Sequence, residues 1–185
     1  HPANGRRDHL ALVQELMQGL REQRVRLAYQ PVVAAAHHAL VWYEALARLT
    51  RADGGSTEIS PYILAAEKLG LVQLLDRQAL DLAVAALNAD PAVRIAVNVS
   101  AATTSDLDWR RHMDRFLDRQ PADGKRLLVE ITETAAFADL GHAGAFVRDL
   151  RAKGVRLALD DFGAGYTSFR ALRALGVDLV KIDGE

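Results

Sequence analysis

The chain contains no cysteine among its 185 residues. This absence excludes disulfides, thiolate nucleophiles and cysteine-ligated zinc, so a bound metal would be held by oxygen or imidazole. No apolar run approaches the roughly 20 residues that a membrane-spanning helix needs, and no signal-peptide pattern opens the chain. We therefore expect no membrane span in this segment and a cytoplasmic location.

The chain also lacks an excess of charge of either sign. Lys and Arg number 23 and Asp and Glu number 24, for a net charge of -1. Because the basic residues are scattered, the sequence has no electrostatic footprint for a DNA or RNA polymer. Half of the residues are apolar and a quarter are charged, which is typical of one globular domain with a sizeable core.

The N-terminal part of the chain begins with polar residues and then becomes periodic. Residues 1–8 contain Pro2 and Gly5, which favours a linker or an expression remnant, and we place the domain at residues 9–185. An apolar stripe predicts a helix over residues 9–23. Two strand-like runs follow at 27–33 and 40–48, and the gap between them is too short for a crossover helix, so they should pair antiparallel.

From residue 60 onward, helical periods alternate with short apolar runs. The predicted helices span 60–69, 72–87, 104–119, 141–153 and 166–175. The apolar runs lie at 93–99, 126–132, 155–160 and 177–182. This alternation predicts an α/β fold with a parallel sheet covered by helices on its faces. Ser105 and Asp108 resemble a capping box at the start of the third of these helices.

Six strands are predicted in all, whereas a closed (β/α) barrel has eight. The chain ends at Glu185, just past a strand. We therefore expect the two C-terminal βα units of a TIM-like barrel to be absent from this chain.

Polar side chains stand at the ends of the predicted strands. They are Glu44, Asn98, Glu130, Asp160, Asp161, Lys181 and Asp183. In a barrel these positions converge on the C-terminal mouth, where the active sites of this fold lie. So many carboxylates would repel one another unless a cation neutralised them. Because no histidine stands at a strand end, the ligands would be hard oxygens, which suit Mg²⁺ or Mn²⁺.

The adjacent aspartates Asp160 and Asp161 suggest a second ion, because one of them would bridge two metals while the other binds one. Two-metal sites activate water for in-line displacement at phosphorus. A single polar residue at a strand end is more often a helix cap or a turn former. For Ser100, Thr132 and Glu133 that interpretation keeps equal weight, whereas for Glu44, Asn98, Glu130 and Asp160 it would require four coincidences.

Five short motifs follow one another between residues 29 and 183. They are Glu44-Ala45-Leu46-Ala47-Arg48 preceded by Tyr29-Gln30-Pro31, then Asn98-Val99-Ser100, Glu130-Ile131-Thr132-Glu133, Asp160-Asp161-Phe162-Gly163-Ala164-Gly165-Tyr166, and Lys181-Ile182-Asp183. In this order they resemble the motifs of the EAL family of bacterial phosphodiesterases. That family hydrolyses the second messenger cyclic di-GMP to linear pGpG with divalent metal ions.

The resemblance implies a TIM-like (β/α) barrel with an antiparallel first strand, two Mg²⁺ or Mn²⁺ ions, and Ca²⁺ as an inhibitory ion. The implied metal ligands are Glu44, Asn98, Glu130, Asp160 and Asp161. The implied substrate contacts are Gln30, Leu46 and Arg48. Lys181 would orient water or a phosphate oxygen, Asp183 would support it, and Glu133 would hold the glycine-rich loop, a hinge or lid containing Gly163 and Gly165.

Two departures from the family pattern stand out. Ala164 occupies a position where the family usually has threonine. The family's last two strands, which carry a further catalytic glutamate, have no counterpart here. If those strands are absent from the protein, we expect this chain by itself to be inactive.

The leading interpretation is a metal-dependent cyclic di-GMP phosphodiesterase within a bacterial signalling protein. The alternative is a receptor module that binds cyclic di-GMP without cutting it, and a third class is a pure protein-interaction module. The intact set of ligands favours the enzyme. The resemblance also implies a homodimer and an upstream sensor or cyclase domain in the parent chain.

Overall fold

The computed structural model describes residues 2–51, 54–163 and 169–183. The helices are α1 (Pro2–Arg21), α2 (Ser60–Lys68), α3 (Val72–Ala89), α4 (Leu107–Arg119), α5 (Glu133–Ala138), α6 (Leu140–Ala152) and α7 (Phe169–Leu175). The strands are β1 (Val25–Val33), β2 (Leu40–Thr50), β3 (Ser56–Glu58), β4 (Ile95–Asn98), β5 (Leu127–Thr132), β6 (Arg156–Phe162) and β7 (Leu179–Ile182). Two short 3-10 helices lie at Ala101–Ser105 and Pro121–Arg126.

The strands form one sheet in the order β1-β2-β4-β5-β6-β7. β1 pairs with β2 antiparallel, as the short connection between them predicts, and β2, β4, β5, β6 and β7 run parallel. The antiparallel first strand and the alternating βα order of a TIM-like barrel are therefore confirmed. In the part of the chain that the structure describes, the sheet remains open between β1 and β7.

Besides the two 3-10 helices, the described residues contain one strand and one helix that the sequence did not predict. β3 is a third antiparallel strand against β2, and its three polar residues show no alternating apolar pattern. The helix α5 has only six residues and directly follows β5, so it was too short to show a helical period.

Two helix starts also differ from prediction. α1 begins at Pro2, so residues 2–8 are helical rather than irregular. Proline is tolerated in the first helical turn, where an N–H would have no partner in the helix. The domain boundary at residue 9 stays a prediction. At α4 the cap is Asp106, whose carboxylate accepts from the Asp108 backbone N–H at 2.9 Å, so the assignment of the cap to Ser105 was wrong.

The two faces of the sheet have different surroundings because successive residues of a strand point to opposite sides. The outer face packs under the helices in the largest core cluster, which includes Val97, Val129, Leu157 and the helical Trp109 and Phe146. The inner face carries a smaller apolar layer, formed by Trp42, Ala96, Leu128 and Ala158 with Leu179 packed against it. This inner layer is the floor on which the polar strand ends stand.

Candidate metal centre

The strand register explains why the polar strand ends come together. In each of four strands, a polar residue follows the apolar floor residue by two positions and so lies on the same face. These residues are Glu44 after Trp42, Asn98 after Ala96, Glu130 after Leu128, and Asp160 after Ala158. In the paired strands Asn98 lies opposite Glu130, and Thr132 lies opposite Asp160. A second, polar layer is thereby built on the apolar one at the carboxyl ends of the parallel strands.

Three carboxylates of this layer approach one another closely. One ligand atom from each of Glu44, Glu130 and Asp160 lies within 4.8 Å of the other two. Asn98 joins them, because its side-chain amide donates to Oε1 of Glu44 at 3.3 Å. Glu130 is the most enclosed member, with 3 % of its surface exposed.

Lys181 lies among the three carboxylates. Its Nζ is 2.8 Å from Glu130 Oε2, 3.0 Å from Asp160 Oδ2 and 3.2 Å from Glu44 Oε2. The lysine belongs to β7 at the end of the described sheet, so strands from both halves of the chain contribute to one cluster.

Burial and mutual repulsion shift the pKa values in this cluster. Burial, the largest effect, and the charges of Glu44 and Asp160 together raise the pKa of Glu130 to about 7, against the opposing effect of Lys181. Burial disfavours the charge of Lys181, but the hydrogen bond to Glu130 and the surrounding carboxylates outweigh it and raise the lysine pKa. The cluster is therefore a negatively charged site that one ammonium only partly compensates.

The donor set fits a hard divalent cation. Three carboxylates facing one ammonium leave two negative charges when all are ionised, which is the charge that a divalent ion would balance. The Asn98 side chain adds an amide oxygen to these ligands, and Mg²⁺ and Mn²⁺ prefer oxygen donors of this kind.

Asp161 lies apart from the close carboxylate group within the described residues. It is exposed and adopts a φ of 55°, a left-handed conformation that aspartate tolerates better than most residues. Although the residue is exposed, partial desolvation of its carboxyl raises the pKa, and the charges of Asp160 and Asp183 raise it further. The Asp183 backbone N–H donates to the Phe162 carbonyl at 3.2 Å, which ties the end of β7 to the end of β6.

Glu133 is placed beside the start of the glycine-rich segment. Its Oε2 accepts from the Gly163 backbone N–H at 2.8 Å, and its side chain is buried. Gly163 has a φ of 109°, which a residue with a Cβ would adopt only with strain. The rest of the predicted hinge and the position where the family usually has threonine lie outside the described residues, at Ala164, Gly165 and Tyr166.

The predicted substrate contacts lie beside the candidate metal centre. Leu46 and Arg48 line a cavity of about 220 Å³, which Asn98 also borders. Among the described residues, the guanidinium of Arg48 donates only to its neighbour's carbonyl, Ala47 O, at 2.9 Å. Gln30 lies opposite Glu44 in the β1–β2 register and is exposed.

Asp76 on α3 lines the same cavity and was not singled out from the sequence. It is 8 % exposed, and its Oδ2 accepts from the Ser100 backbone N–H at 2.9 Å and from Thr103 Oγ1 at 2.7 Å. Burial raises its pKa, against these hydrogen bonds. The sequence did offer a signal for Asp76, because this acidic residue lies on the apolar stripe of a predicted helix. Burying a charge there is unfavourable unless other groups hydrogen-bond to it.

The residues whose roles the sequence left open have structural partners here. Thr132 caps α5 by accepting from the Ala135 N–H at 3.2 Å. Ser100 donates from its backbone to Asp76 and from its hydroxyl to Thr103 Oγ1 at 3.1 Å. Both residues therefore shape the turns that follow the ligand-bearing strands.

Comparison with known proteins agrees with the fold and the site. The EAL domain family model matches residues 13–185. The chain is 31% identical over 179 residues to cyclic di-GMP phosphodiesterase NbdA of Pseudomonas aeruginosa, covering 94% of this chain and 23% of that protein. The chain thus spans about a quarter of the length of the curated relatives it matches.

Solved structures show the same similarity. The PaMucR phosphodiesterase in complex with c-di-GMP superimposes with a TM-score of 0.84 at 30% identity, over 94% of this chain and 72% of that one. The FimX EAL domain from Pseudomonas aeruginosa, bound to c-di-GMP, gives a TM-score of 0.83 at 26% identity, over 94% and 71%. The family model covers nearly the whole chain, and the strand ends that carry the family motifs converge in the structure. The chain therefore belongs to the EAL domain family.

Proposed function

We propose that this domain hydrolyses cyclic di-GMP to linear pGpG with the help of Mg²⁺ or Mn²⁺. The observation that carries the proposal is the convergence of Glu44, Glu130 and Asp160 beside the cavity lined by Leu46 and Arg48. Relatives at about 30% identity that are named as cyclic di-GMP phosphodiesterases support the same activity.

Glu44, Asn98, Glu130 and Asp160 would hold one ion, and Asp160 with Asp161 would take part in holding a second. Bound ions of this kind lower the pKa of water and polarise phosphoryl oxygens. The protein supplies the packed apolar floor under these side chains, which would hold the carboxylates near one another.

The remaining side chains would bind and orient the substrate. The guanidinium of Arg48 matches the geometry of a phosphate, and Leu46 and Gln30 would border the nucleotide. Lys181 would place its positive charge near the attacked phosphate or the attacking water, supported by Asp183. Glu133 would hold the backbone at Gly163 in place through the hydrogen bond described above.

The second candidate is a receptor that binds cyclic di-GMP without cutting it. The FimX EAL domain, at 26% identity, was solved bound to c-di-GMP, so binding is the property that both candidates share. The carboxylate cluster of the described site favours the enzyme, because a receptor has no chemical need for a cluster whose remaining negative charge a divalent cation would balance.

The test is a turnover assay on a protein that carries this domain with its natural flanking sequence. Cyclic di-GMP and pGpG would be quantified chromatographically in Mg²⁺, Mn²⁺ and Ca²⁺, with calorimetry of nucleotide binding in parallel. We expect pGpG in Mg²⁺ and Mn²⁺, and binding without turnover in Ca²⁺. Nucleotide binding with no pGpG formed in any of the three ions would establish the receptor. If the protein bound neither nucleotide nor metal, the protein-interaction module would be the remaining function.

No described helix combines the length and the hydrophobicity that a membrane span requires. A homodimer, an upstream sensor or cyclase domain and a cytoplasmic location stay predictions.

A further inference from the structure

Trp42 has an unusual environment on the apolar floor beneath the metal centre. Only 3 % of its surface is exposed, and its indole Nε1–H has no hydrogen-bond partner among the described residues. A buried donor without an acceptor is unfavourable, and native proteins rarely leave one uncompensated.

Two arginines lie against the same indole ring. The guanidinium carbon of Arg156 is 5.5 Å from the Trp42 ring centroid, and that of Arg94 is 5.9 Å away. Within the side chains that the structure describes, neither guanidinium makes a hydrogen bond or an ion pair. By contrast, Arg77 and Arg126 each pair with an aspartate at 2.7 Å.

The strand register explains why the two guanidinium groups lie near one indole ring. Arg94 directly precedes β4, and Arg156 is the first residue of β6. Each stands four residues before a candidate metal ligand of its own strand, Asn98 and Asp160, and therefore at the opposite, amino-terminal end of the parallel strands. A cavity of about 290 Å³, bordered by Trp42, Arg94, Tyr43 and Ala92, opens at this end.

We propose that Trp42, Arg94 and Arg156 form an anion-binding site for a phosphate or carboxylate group, separate from the metal centre. All three side chains are hydrogen-bond donors, and two carry positive charge that no described carboxylate balances. A guanidinium presents its N–H groups in the planar arrangement that both oxyanions accept. The oxyanion would come either from a free phosphate compound or from an acidic side chain of another polypeptide segment.

Trp42 itself reports on the site, because the chain has only two tryptophans, Trp42 and Trp109. In a W109F variant, Trp42 emission would be followed while inorganic phosphate or a tri-glutamate peptide is added at constant ionic strength, with chloride as the reference anion. Calorimetry on the chain with Trp109 retained provides the same titration without a substitution in the core. The variants are R94Q and R156Q, and the matched control is R173Q, which removes an exposed arginine of α7.

We expect saturable binding of one of the two probes, weakened about tenfold or more by R94Q or by R156Q, as loss of a charge-assisted hydrogen bond predicts. R173Q should bind like the parent. Binding of phosphate alone assigns a free phosphate ligand, and binding of tri-glutamate alone assigns an acidic segment. No saturable response to either probe, or equal binding in R94Q, R156Q and R173Q, would overturn the site.

Discussion

The ammonium of Lys181 lies 2.8 Å from Oε2 of Glu130, the most deeply buried carboxylate of the inner face. The same ammonium contacts Glu44 and Asp160, so it occupies the centre of the group that would bind a cation. The lysine and a bound metal ion would therefore compete electrostatically for the same three carboxylates, and this relationship leads to the first prediction.

Replacing Lys181 with methionine should strengthen Mn²⁺ binding, because the carboxylates lose their competing positive charge. Turnover should fall at the same time, because the charge proposed to orient phosphate or water is gone. Calorimetric titration with Mn²⁺, with the exposed Lys125→Met as control, measures the first effect. A loss of Mn²⁺ affinity in K181M would show that the lysine instead holds the ligands in place.

Replacing Glu44 with alanine should abolish turnover and weaken metal binding, while nucleotide binding largely survives. Removing a direct ligand should cost at least the roughly 10- to 100-fold in metal affinity that loss of an outer partner costs. The control is Glu67→Ala on the exposed surface of α2. Parent-like turnover of E44A at saturating Mg²⁺ would disprove the metal assignment.

Replacing Arg48 with alanine should raise KM and leave Mn²⁺ affinity unchanged. A lost charge-assisted hydrogen bond to phosphate is worth about 1.5–3 kcal/mol, or roughly tenfold or more in KM. Steady-state kinetics and calorimetry, with the exposed Arg119→Ala alongside, separate the two effects. An unchanged KM combined with lost metal affinity would mean that the roles are reversed.

The raised pKa of Glu130, about 7 against an ordinary 4.5, predicts a pH dependence of stability without metal. Because the folded state binds this proton more tightly, the contribution is fully present below about pH 4.5 and is lost as pH rises through about 7. In EDTA, Tm should therefore fall more steeply between pH 5 and 8 in the parent than in E130Q. Adding Mn²⁺ should reverse the loss at pH 8, and equal slopes in the two proteins would contradict the assignment.

Replacing Glu133 with alanine removes the acceptor for the Gly163 N–H. We expect faster hydrogen exchange in the segment that contains Gly163, and a lower kcat with little change in Mn²⁺ affinity. E133Q keeps an oxygen acceptor and should restore most of the protection. Unchanged exchange in E133A would show that the loop is held by other contacts.

Much of this architecture followed from local patterns. A connection too short for a crossover predicted that β1 and β2 are antiparallel, and the alternation of helical periods with apolar runs predicted the parallel sheet. Polar residues at strand ends predicted the carboxylate cluster, since parallel strands present their carboxyl ends at one edge. These features depend on connection lengths, apolar periodicity and the residue types at strand ends, all of which can be read from short stretches of the sequence.

Other features depend on contacts between segments that are distant in the sequence. The sequence placed Lys181 at the site, but only the packing of β7 beside β6 decided that its ammonium lies among three carboxylates. Competition between neighbouring side chains made Asp106 rather than Ser105 the cap of α4, because Ser105 Oγ lies 3.0 Å from His142 Nε2 on another helix. The sequence determined which residues face inward at each strand, whereas the relative register and curvature of the strands decided which of them meet: Asp76 with Ser100, and Trp42 with Arg94 and Arg156.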